Sequence, residues 1–172
     1  MPEKLPKLIK LLVSETPDIY KPAVANAVFP ALAAHLHGVW FTYTDSRRHE
    51  AALMHVLMAP SGAGKSCIDE PVSHIMADIK SRDNENMIRE NEWKKECRGK
   101  AANKNKPPRP EGLIIQCIPA DITMPAFIQR LDENNGHYCY AHLDEIEKFD
   151  QFKGKTCKEQ FTIIKCAFDN FE

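Results

Sequence analysis

The residues Ala59-Pro60-Ser61-Gly62-Ala63-Gly64-Lys65-Ser66 carry the clearest chemistry in the chain. They fit the spacing G-x-x-x-x-G-K-[ST] of a Walker A phosphate-binding loop, with alanine at the first glycine. Phosphate oxygens need a concave row of backbone N–H donors, so the chain must turn tightly with no side chains in the way. Gly62 and Gly64 permit that turn. On this reading the amides of Ser61, Gly62, Ala63, Gly64, Lys65, Ser66 and Cys67 face the phosphates at a helix N-terminus, where the dipole favours negative charge. Lys65 adds a point charge for the β- and γ-phosphates, and the Ser66 hydroxyl is placed to ligate Mg²⁺. The expected ligands are ATP and Mg²⁺. The competing reading is a surface turn before a helix, but the match follows an apolar run and precedes a helical period, as the mechanism requires.

Such a loop needs an acidic partner at the end of a neighbouring strand, a Walker B element. Leu143-Asp144-Glu145 qualifies. Asp144 would support the metal, and Glu145 would be the catalytic acid that orients the attacking water or accepts its proton. Asp121, after another apolar stretch, is a competing carboxylate. Other candidates are weaker. His35 and His37, or His137 and His142, point different ways on their elements and give no metal cluster. Cys67 would sit near a helix N-terminus, where a thiol's pKa tends to fall, although packing is the better expectation. Arg98, Lys100, Lys104, Lys106 and Arg109 form a basic stretch that could track a nucleic-acid backbone or merely stay solvated.

The elements that must position these groups follow from periodicity. Residues 5–13 read as a short amphipathic helix. Thr16-Pro17 looks like an N-cap and first helical position, with Gly38 as the stop; Pro22 and Pro30 should split this stretch into two short helices. Residues 39–43 are β-formers, 44–50 a polar connection, and 52–58 an almost continuous apolar run suited to a strand buried on both faces. After Ser66, the spacing Ile68, Val72, Ile75, Met76, Ile79 is helical. The polar stretch 80–98 reads as a solvated helical arm with Glu85–Arg89 and Glu90–Lys94 pairs, and 99–112 as a basic linker. Residues 113–118 read as a strand, 122–131 as a helix, Asn135-Gly136 as a turn, 137–143 as a strand and 158–169 as a helix. Strands alternating with helices indicate an α/β fold with parallel pairing. The division expected is a helical segment, 1–38, followed by the nucleotide-binding domain, 39–172.

Composition sets the outer limits. Among 172 residues, 23 Lys+Arg against 24 Asp+Glu leave a net charge of −1, so global electrostatics gives no argument for nucleic acid. Lys4, Lys7 and Lys10 interrupt the apolar start, unlike a secretory signal, and no window suits a membrane span. The six cysteines include no C-x-x-C pair, which fits reduced thiols and a cytoplasmic protein.

The order of motifs, LMHVLMAPSGAGKS, then a long charged helix, LIIQCIPADITMPAFIQRL, HYCYAHLDEIE and IIKCAFDNFE, resembles the P-loop ATPases of primase–helicase-like proteins in bacterial, Bacteroides-type mobile elements and phages. The resemblance covers most of the chain. It implies a P-loop NTPase fold, AAA+- or RecA-like, with a parallel sheet flanked by helices. It also implies ATP bound at 61–66, Asp144 assisting Mg²⁺, Glu145 in catalysis, and work on DNA replication or mobilisation beside a primase or other replication partner, as a homo-oligomeric ring. Family members continue further, so the chain reads as the front portion of a larger protein with the core incomplete at its C-terminal end. Two alternatives stand beside the ATPase: a non-hydrolysing nucleotide-binding interaction module and a small-molecule P-loop kinase.

Overall fold

The computed structural model describes residues 4–98 and 106–143. Asp144, Glu145 and the helix expected at 158–169 lie outside the described residues. Among the described residues the chain is α/β, with two small sheets of two strands each. It divides into two compact units, the first ending at Ala77 and the second starting at Asp78.

In the first unit, α1 (Lys7–Leu12) and α2 (Lys21–Ala33) build the core. Ile9, Val13, Val24, Ala25 and Val28 are buried together, and Cys67, Ile68 and Ile75 pack against them. α2 begins later than Thr16-Pro17 suggested. The Pro17 carbonyl accepts from the amides of Tyr20 and Lys21, at 2.8 and 3.2 Å, so Pro17 opens a turn that leads into the helix. Pro22 then occupies the first helical turn, where its missing N–H costs nothing. Pro30 does not split the helix. It removes one interior hydrogen bond, a loss of about 3 kcal/mol, yet Val24, Val28 and Ala31 are fully buried and hold both halves in place. Gly38, at φ +71°, shapes a turn beyond the helix end.

β1 (Trp40–Thr42) pairs antiparallel with β2 (Arg48–Glu50), so part of the expected connection is itself a strand. The turn is tied by the Asp45 carboxylate, which accepts from the Arg47 amide and pairs with His49, both at 2.9 Å. The strand expected at 52–58 is not formed. Residues 51–60 carry no regular secondary structure, and Leu53, Met54, Val56 and Met58 are exposed, Met58 at 88%. Strands exist only as pairs, and none of the described strands runs beside this segment. Beyond the loop, a 3-10 turn (Lys65–Ile68) leads into α3 (Asp69–Ile75), as the helical period required. His35 bonds the Ile75 carbonyl at 2.9 Å and ties the end of α3 to the segment after α2.

The second unit opens with α4 (Ala77–Arg98), the expected polar helix, but it is not a solvated arm. Ile79, Asp83, Asn86 and Glu90 are buried. Their spacing of four, three and four residues defines one helix face. This polar face satisfies the backbone of residues 113–117. The Asp83 carboxylate, 1% exposed, accepts from the Gln116 amide at 3.0 Å and the Cys117 amide at 2.7 Å. Asn86 donates to the Ile114 carbonyl at 2.8 Å. Buried Asn134 works from the other side, accepting from the Ile115 amide at 3.0 Å and donating to the Ile115 carbonyl at 2.7 Å. Side chains therefore take most of the bonds that neighbouring strands would have made. Only β3 (Cys117–Ile118) counts as strand; it pairs parallel with β4 (Tyr140–Ala141), through the crossover helix α5 (Met124–Glu133). The turn at Asn135-Gly136 falls as expected, both residues at positive φ.

Glu90 gathers the charges of this unit. Arg130 grips its carboxylate at 2.9 and 3.1 Å, and Lys94 approaches to 3.0 Å. Arg109 bonds Glu133 at 3.1 Å and the Leu113 carbonyl at 3.0 Å. It is thus engaged by internal partners and not simply solvated. Arg89 bonds Asn86 and the Glu111 carbonyl, in place of the Glu85 pairing expected. Trp93 donates to the Pro107 carbonyl at 3.0 Å, so the stretch after 105 is docked to α4.

Burial alone would raise the Glu90 pKa, but the hydrogen bonds and charges of Arg130 and Lys94 outweigh it and bring it from 4.5 to about 2. The folded state therefore favours the carboxylate. Its stabilisation is complete above about pH 4.5 and is lost as pH falls toward 2, a change of order 3 kcal/mol. Urea unfolding of the wild type across that window is expected to show this slope, and Glu90→Gln to lack it. Asp83→Ala strands two buried amides and is expected to cost about 2–4 kcal/mol in the same assay. Exposed Glu85→Ala is expected to stay within about 0.5 kcal/mol.

Candidate functional site

The segment 59–66 lies in the first unit as a closed turn running into a helix. Pro60 accepts from the Ala63 amide at 3.3 Å, and Gly64 from the Cys67 amide at 3.1 Å. Gly62 and Gly64 both stand at φ +75°, while Ala63 and Lys65 do not have positive φ. Alternation of this kind is the backbone pattern of the nests in which main-chain N–H groups hold anions in other proteins. Among the described residues, the amides of Gly62, Gly64, Lys65 and Ser66 have no hydrogen-bond partner in the protein. Ala59 is not at positive φ either, so the first glycine of the motif has no conformational task here.

The core positions this cradle. Cys67 and Ile68, directly after the loop, pack on the buried cluster of α1 and α2 and anchor the helix start. Burial is the main cause that raises the Cys67 pKa, with the nearby Asp69 charge adding to it, so the thiol is a packing group and not a helix-activated nucleophile. The Lys65 ammonium folds back over the loop and donates to the Ala59 carbonyl at 3.4 Å. A bond that long is weak, and a phosphate oxygen would displace it. Ser61 and Ser66 are exposed, and the Ser66 hydroxyl is unengaged among the described residues. A hydroxyl with phosphate oxygens and water makes the hard oxygen set that Mg²⁺ takes.

Tyr20 is the neighbour that motif reading missed. A Cβ added to Gly64 would stand 2.7 Å from the Tyr20 hydroxyl oxygen and 2.9 Å from its Cζ. A side chain at Gly64 would therefore meet the Tyr20 ring, which must shift to admit it, in addition to the strain of its φ. Around Gly62 there is open space.

The remaining reactive groups are otherwise occupied. Burial pushes the Cys117 thiol up to about 12, helped by the charge and hydrogen bond of Asp83. Burial also raises Cys139, against an opposing hydrogen bond from Asn134. Neither is a thiolate near neutral pH. Among the described residues, no group of three or more His, Cys, Asp and Glu side chains could hold a metal ion. Asp121 is exposed, in the turn between β3 and α5. The second unit carries an open cavity of about 320 Å³ beside Arg109, Glu111 and Glu133, where one terminal nitrogen of Arg109 holds Leu113 and Glu133 while its buried Nε has no hydrogen-bond partner. No helix among the described residues is long and apolar enough to cross a membrane.

Compared with protein-family models, curated proteins and solved structures, the chain matches none of them.

Gly64→Ala is expected to lower stability by more than Gly62→Ala, measured by thermal unfolding. Both variants carry the backbone strain of about 1–2 kcal/mol, and only Gly64→Ala also collides with Tyr20.

Proposed function

We propose that the first unit binds ATP with Mg²⁺ through the phosphate-binding loop 59–66, as the nucleotide site of a P-loop ATPase that acts on DNA. The observation that carries this reading is the row of unpartnered amides at Gly62, Gly64, Lys65 and Ser66, beneath an ammonium group held only by a long bond. A backbone that leaves four donors open, beside a weakly held positive charge, suits a polyphosphate better than any neutral ligand. Lys65 would neutralise the β- and γ-phosphates, and Ser66 would share Mg²⁺ with them. Asp144 and Glu145 keep their proposed roles with the metal and the attacking water. DNA, a replication partner and a homo-oligomeric assembly enter through the resemblance of the motif order, not through charge, since the chain is near neutral.

Binding of Mg²⁺-ATP by the wild type and by Lys65→Ala tests the site directly. Calorimetry is expected to show at least a tenfold loss in the variant. Equal affinities, or no binding by either protein, would end the reading. Phosphate release with and without single-stranded DNA then separates a motor from a module: DNA-stimulated release marks the ATPase, and retained binding without turnover marks the interaction module.

A further inference from the structure

We propose that Tyr20 is a phosphate-binding residue of this site, its hydroxyl donating a hydrogen bond to an oxygen of the polyphosphate held by residues 62–66. The inference rests on the reading of the loop as a polyphosphate site and adds to it a donor that lies outside the motif. Tyr20 is fixed by its backbone at the entry to α2, where its amide donates to Pro17 at 2.8 Å and its carbonyl accepts from Val24 at 3.0 Å. From there the ring reaches Gly64, with the hydroxyl oxygen, Cζ and Cε1 lying 2.7, 2.9 and 3.3 Å from the position of an added Cβ. A Cβ lies about 2.5 Å from its own backbone nitrogen, so the phenol oxygen is within about 5 Å of the Gly64 amide. One phosphate oxygen at ordinary hydrogen-bond distances from both donors bridges up to about 5.6 Å, so the two groups can share it.

The chemistry suits the position. A phenol O–H donates, and the oxygens of an ionised phosphate accept. Among the described residues the Tyr20 hydroxyl has no hydrogen-bond partner, and it is not a sealed, unsatisfied buried atom. A ring serving only to pack against Gly64 would need no hydroxyl at all. Phenylalanine would fill the same space.

That contrast supplies the experiment. Affinities for inorganic tripolyphosphate and for Mg²⁺-ATP are measured on the full chain for wild type, Tyr20→Phe and Lys65→Ala. Tripolyphosphate has no base, so stacking of the ring on adenine cannot contribute. Tyr20→Phe is expected to bind both ligands about tenfold more weakly, with the thermal midpoint of the ligand-free protein unchanged. If Tyr20→Phe binds like wild type while Lys65→Ala does not, the Tyr20 proposal falls and the loop reading stands. If wild type binds neither ligand, both fall. A second measurement needs no variant. In wild-type protein labelled at tyrosine Cζ, the Tyr20 resonance is expected to move with tripolyphosphate and not with chloride at equal ionic strength. A resonance that ignores a bound tripolyphosphate overturns the proposal.

Discussion

The Asp83 carboxylate, buried and bonded to the amides of Gln116 and Cys117, shows the constraint under which this chain is built: every main-chain donor removed from water must find an acceptor. In the second unit that demand is met by side chains. Asp83 and Asn86 from α4, Asn134 from the end of α5 and Arg109 from the preceding segment supply the partners for residues 113–117. The segment is thus bonded along its length with only Cys117 of it in a sheet. A carboxylate is suited to this because it accepts from two adjacent amides at once. Such bonds to a charged acceptor are also stronger than neutral ones.

The first unit treats the same groups in the opposite way. Around Gly62 and Gly64 the backbone is curled so that the amides of Gly62, Gly64, Lys65 and Ser66 meet no protein acceptor among the described residues, although Ala63 between the glycines bonds Pro60. Satisfying them internally would remove the donors that the proposed phosphate site needs. The apolar cluster of α1 and α2 bears the cost of keeping this turn in place, through Cys67 and Ile68 immediately downstream. Turn-making and packing are therefore adjacent in sequence and separate in role: the glycines shape the loop, and the residues just after it hold it.

How far this could be read from the sequence varied by element. The helix after the loop, the crossover from β3 through α5 to β4, and the turn at Asn135-Gly136 were legible, because each depends on local periodicity or on residues that tolerate positive φ. α4 was legible as a helix and misread as solvated. Its buried face follows the spacing 79, 83, 86, 90, but three of those four residues are polar, so a search for apolar periodicity passes over it. The extent of the strands was not legible at all. Apolar content marks 52–58 and 113–118 alike, while pairing depends on what lies beside each segment. At the candidate site the loop residues were recognisable from spacing. Tyr20, some forty residues earlier, was not, since no motif links it to Gly64 and only the folded chain brings them together.

The stretch at Leu53–Met58 shows where apolar content stops being a guide to structure. Leu53, Met54, Val56 and Met58 are exposed, and among the described residues no strand pairs with them. Apolar side chains on an unpaired backbone are the combination that sheet proteins ordinarily keep covered at their edges. A solubilising charge placed there is therefore the substitution this fold tolerates most easily.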